Sequence, residues 1–96
     1  MSFHHKEAST NNHVIAVMRQ AEAVVRYLMI KGVSVKGVIL RNCTPVICIE
    51  HHKLCEQLLK NGQADYITFG KNAQGGFKQG AFMKGGCRVI WSTSLH

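Results

Sequence analysis

The chain has 96 residues, enough for one domain around a single core. Hydrophobic residues make up 46% of it, so the core needs neither disulfide nor metal, and no apolar run approaches the roughly 18 residues of a membrane span. The formal charge is +7, with 12 Lys and Arg against five acids, a balance that points to an anionic partner: nucleic acid or an acidic protein surface.

Residues 1–12 (MSFHHKEASTNN) are polar apart from Phe3 and predict a disordered tail, leaving a single domain over 13–96. Residues 13–31 predict the first helix. Val14, Val17, Met18, Ala21, Val24, Val25 and Leu28 make one apolar stripe at helical spacing. Asn11 or Asn12 is the expected N-cap, and Gly32 the residue just past the end. The apolar stretch Val14–Val17 lies too deep, and too close to Arg19, for a signal peptide, so a cytoplasmic protein is expected.

Residues 33–41 (VSVKGVILR) predict a strand, 42–45 a turn led into Pro45, and 46–50 (VICIE) a second strand, antiparallel to the first. Residues 52–61 predict a second helix with Leu54, Cys55, Leu58 and Leu59 on one face, closed by Gly62. Residues 64–69 (ADYITF) and 87–93 (CRVIWST) predict two more strands. Between them lies GKNAQGGFKQGAFMKGG, residues 70–86, too glycine-rich for a helix and read as the long tip of a hairpin.

The two halves share more than element order. Set without gaps, Leu28 falls on Leu58, Gly32 on Gly62 and Asn42 on Asn72. The expected fold is a two-layer α+β domain, αββαββ, with a four-stranded antiparallel sheet and both helices on one face. The glycine-rich stretch then becomes an insertion in the turn of the second of two equivalent hairpins. Long hairpin loops are uncommon and often functional. The other sheet face is left for solvent, a partner or self-association.

No acid follows Asp65, so Lys71, Lys78, Lys84 and Arg88 stand unopposed. With Phe77 and Phe82 they make the candidate binding set: the cations for phosphates, the rings for bases. The plainer reading is a flexible hairpin end whose phenylalanines fold back onto the core. No phosphate-loop spacing is present, and no helix carries a base-reading face, so DNA or RNA contact is expected from the sheet or its loops.

Cys48, His51, Cys55 and Cys87 form a second constellation, with nitrogen and sulfur ligands suited to zinc but without the usual CxxC knuckle. Reduced core cysteines and exposed histidines at a helix start are the simpler reading. The five acids are scattered, and no Cys–His pair has a third orienting residue, so an enzyme is not expected.

At PVICIE (Pro45–Glu50), HHKLCEQL (His51–Leu58) and GGCRVIW (Gly85–Trp91) the chain resembles small accessory proteins encoded by bacteriophages and prophages. The resemblance covers about the last half of the chain. It implies a regulator or a modulator of a host or phage complex in the host cytoplasm, with no assigned activity, cofactor or catalytic residue. The expected function is a non-enzymatic accessory protein that binds nucleic acid through its basic glycine-rich hairpin. The alternatives are an adaptor that modulates a host or phage protein, and a small zinc-stabilised module.

Overall fold

The computed structural model describes residues 2–73 and 75–95. Its elements in order are α1 (Ser2–Ile30), β1 (Val35–Arg41), β2 (Thr44–Ile49), α2 (Lys53–Lys60), β3 (Ala64–Asn72), β4 (Gly75–Lys84) and β5 (Cys87–Ser94). The class is α+β, as the sequence predicts. The sheet differs from expectation: it is five-stranded and mixed, in the order β1-β2-β5-β4-β3, rather than four-stranded and antiparallel. Its central pair, β2 and β5, runs parallel, and the other neighbours are antiparallel.

The additional strand is the glycine-rich stretch. Instead of a hairpin tip, it supplies the end of β3, all of β4, and the turn into β5. Glycine weakens a strand because it brings no side chain to pack. Here the glycines sit across from rings. Gly80 pairs with Trp91 and Gly70 with Phe77. A Cβ on Gly80 would overlap the indole, and one on Gly70 would come within 2.7 Å of Phe77 Cζ. Each ring covers the bare backbone of its partner, so the strand gains from its neighbours the burial it lacks itself.

This arrangement also overturns the reading of two equivalent hairpins. β1 and β2 are direct neighbours, whereas β3 and β5 are separated by β4. The matched Leu28/Leu58 and Gly32/Gly62 have a local cause. At the end of α1, Gly32 N donates to Met29 O (3.0 Å) and Val33 N to Leu28 O (2.9 Å). At the end of α2, Gly62 N donates to Leu59 O (3.2 Å) and Gln63 N to Leu58 O (2.9 Å). Both glycines have positive φ, +81 and +75. This is the same helix-ending motif used twice.

No Gly or Pro interrupts residues 2–31, so nothing in the sequence stops α1 before Gly32. The helix accordingly includes residues 2–12, where a tail is expected, and Asn11 and Asn12 fall inside it rather than at its cap. Met1 lies outside the described residues. α2 starts at Lys53, with His52 as N-cap: its Nδ1 accepts from Leu54 N at 3.0 Å.

The first hairpin turn holds two residues, Asn42 and Cys43, both with positive φ (51 and 64), and β2 begins at Thr44. Such a turn matches the twist of the strands that it joins. Pro45 pairs with Leu40, but pairing with β5 starts only at Val46, so its missing N–H breaks no ladder bond there.

One face of the sheet, the inner face, carries the core. Ile47, Ile49, Ala64, Phe82, Cys87, Val89 and Trp91 meet Val24 and Leu28 of α1 and Cys55 of α2 there. The outer face carries no helix. No described helix is long and apolar enough to cross a membrane.

Candidate nucleic-acid interface

The strand register decides which candidate residues share a surface. Side chains alternate between faces along a strand, and directly paired residues share one. Phe82 pairs with Val89 and Ala64 and is 7% exposed, so it belongs to the core and is not available to stack on a base. Phe77 pairs with Ser94 and Gly70 on the outer face, half-buried over Gly70. Arg88 is exposed on the outer face, paired with Met83 and Val46.

Lys71, Lys78 and Lys84 lie on the inner face, with the parity of Trp91 and Val89. They do not form one cluster. Lys84 Nζ stands 4.3 Å from the centre of the Tyr27 ring on α1, where Lys31 also approaches at 5.6 Å. Lys78 is six residues back along β4, roughly 20 Å by the rise of a strand. Its Nζ lies 4.2 Å from the centre of the Tyr66 ring. Of the six expected residues, only Lys71 and Lys78 stand together on an open surface, at the turn end of β3 and β4.

The structure adds two residues to them. Tyr66 and Phe69 on β3 lie on the same inner face, with ring centroids 6.1 Å apart. Three residues apart, they would point to opposite sides of a regular strand. A bulge between Tyr66 and Thr68 inserts one residue and restores the parity. Phe69 is 67% exposed, the largest ring left open to solvent among the described residues. Tyr66 is half-buried and stands edge-on to Trp91 at 6.4 Å. The sequence signal for the bulge is faint: DYITF loses the strict apolar alternation of a half-buried strand at Ile67.

Phe69, Lys78 and Thr93 form one cross-strand row of the surface, with Lys71 and Gly76 beyond; the next row, Tyr66, Gly80 and Trp91, leads into the core, where Trp91 is buried. No acidic residue lies on this face of β3, β4 or β5, because Asp65 takes the outer side. Two buried polar atoms in these rows, Trp91 Nε1 and Thr93 Oγ1, have no hydrogen-bond partner among the described residues. A buried donor or acceptor left unpaired costs about 1–3 kcal/mol.

The cysteine and histidine set is dispersed. Cys55 and Cys87 are fully buried in the core, whereas Cys48 is half-buried on the outer face, in register with Gly37 and Ile90. His51 is exposed, with Nε2 3.4 Å from Glu56 Oε1. Among the described residues no three His, Cys, Asp or Glu side chains come together where a metal ion could be held. The zinc-stabilised alternative therefore has no assembled site. Burial pushes the thiols of Cys55 and Cys87 above their ordinary pKa, which opposes their service as thiolate nucleophiles or ligands.

Comparison with protein-family models, curated proteins and solved structures returned no match.

Proposed function

We propose that the chain is a non-enzymatic binding module whose ligand is single-stranded nucleic acid, held on the inner face of β3, β4 and β5 beyond the helices. The observation that carries this reading is the bulge in β3. It places an open ring, Phe69, beside Tyr66 and between two cations, Lys71 and Lys78. A base has a π-face for Phe69, and the adjacent phosphates suit the lysines. A flat strand surface with an exposed ring suits a single strand, whose bases are free, better than a duplex, whose bases are stacked inside. The resemblance to phage and prophage accessory proteins is consistent with a module of this kind, acting in a host or phage complex. The adaptor alternative rests on no particular contact, so it enters as the contrary outcome of the test.

The test is fluorescence anisotropy with a labelled oligonucleotide, single-stranded and duplex, over a range of salt. Single-stranded binding should weaken as salt rises, with a slope of about −0.7 per phosphate neutralised. Lys71→Ala with Lys78→Ala should flatten that slope. Phe69→Ala should cost about 1–3 kcal/mol of binding, with the fold retained. No binding at low salt, or binding indifferent to Phe69, would sink the reading and favour a protein partner.

A further inference from the structure

The second open surface lies at the opposite edge of the sheet. β1 is an edge strand, and Val38, Ile39 and Leu40 follow one another along it at 46%, 51% and 45% exposure. Val38 and Leu40 pair with Ile47 and Pro45 and so face inward; Ile39 faces out. Between β1 and α1 runs an open groove of about 810 Å3, lined by Val38 and Leu40 on the strand and by Ile15, Met18 and Met29, among others, on the helix. Ile15, Met18 and Met29 are 49%, 58% and 65% exposed.

The two edges of the sheet are not alike. β3 is broken in mid-strand by its bulge, a device that blunts an edge against pairing. In β1 the only irregularity is at the start, between Val35 and Gly37. Residues 37–41 are regular, unpaired on their outer side and without proline. This is the pattern of an edge that receives another strand.

We propose that the receiving partner is a second copy of this chain, forming a two-fold dimer in which β1 pairs antiparallel with the partner's β1. The strand is self-complementary for that purpose. With the axis at Ile39, Val38 of one copy meets Leu40 of the other on the inner face, and Gly37 meets Arg41 on the outer. The two grooves then close on each other into one apolar core beneath two antiparallel α1 helices. A two-fold interface must be complementary to itself, and the charges on the groove wall are. Arg19, Glu22 and Arg26 line it together. Antiparallel helices place the acid of one copy against the bases of the other, with Glu22 facing the partner's Arg19. Glu22 is one of only five acids in a chain of net charge +7, and it already pairs with Arg26 at 2.8 Å. An anionic partner would meet an apolar wall and that carboxylate here.

Sedimentation equilibrium tests the proposal. The wild-type chain should have twice its 10.7 kDa mass at micromolar concentrations. Ile39→Lys, at an exposed site, should give a folded monomer by circular dichroism. Arg19→Glu and Glu22→Arg should each weaken association about tenfold, ~1.4 kcal/mol, and the double swap should recover it. A wild-type monomer, or a dimer indifferent to Ile39→Lys, would overturn the interface. A swap without recovery would overturn the helix pairing.

Discussion

Trp91 is the largest side chain fully buried in the core, and its place depends on an absence opposite it. Gly80 lets the indole lie against the backbone of β4. Gly80→Ala would force a methyl group into a ring with nowhere to go, since Tyr66 and Phe82 flank it at 6.4 and 6.3 Å. Overpacking of this kind costs about 1–3 kcal/mol. Chemical denaturation should show that loss, with the near-ultraviolet signal of Trp91 altered. The reverse case is Cys43, exposed and held at φ +64 in the first hairpin turn. A residue with a Cβ is strained there, by about 1–2 kcal/mol for the left-handed region. Cys43→Gly should therefore raise the thermal midpoint, the gain being reduced by glycine's greater freedom in the unfolded chain. An unchanged or lower midpoint would contradict the assignment of that turn.

At the scale of elements, α2, β1, β2 and β5 are legible in the sequence because their signals are local. Gly32 and Gly62 end the helices by their own backbone freedom, and the Val- and Ile-rich runs of β1, β2 and β5 carry strand propensity in themselves. β4 is illegible for the opposite reason. Its glycines read as turn, and the ring that covers Gly80, Trp91, comes from β5, while its own Phe77 covers Gly70 of β3, pairings that only the sheet register reveals. The candidate site divides in the same way. Lys71 and Lys78 stand out by composition, whereas Phe69 joins them only through the bulge at Ile67, a matter of register that no propensity reports. Phe82 is misread because, within a glycine-rich stretch, nothing local distinguishes a core ring from an exposed one.

On the scale of the molecule, polarity is divided by face and edge. The cations of the β3–β4 end stand far from the apolar groove at β1, so a charged ligand and a second copy need not compete. The thiols divide as well. Cys43 is exposed, and Cys55 and Cys87 are buried. A thiol reagent at neutral pH should modify Cys43 at once and leave Cys55 and Cys87 intact until denaturant is added. Burial raises both core thiols from their ordinary 9.0. The unfolded thiols lose their protons first as pH rises, so the stability contributed by keeping these groups neutral is complete below about pH 9 and declines above it. Urea midpoints measured across that range should fall, and Cys87→Ala should make the fall shallower even as it lowers the whole curve. A buried thiol that reacts at the rate of Cys43 would contradict the packing of the core.

The position of β5 has one more consequence. It is the last strand along the chain, yet it lies at the middle of the sheet, with β2 on one side and β4 on the other. Until it docks, the β1–β2 hairpin and the β3–β4 hairpin share no strand contact. The two hairpins are two unjoined pieces of sheet, and only residues 87–94 make them one. Long loops must close before that contact is gained, so the sheet should form in one cooperative step, and more slowly than a sheet of neighbouring hairpins.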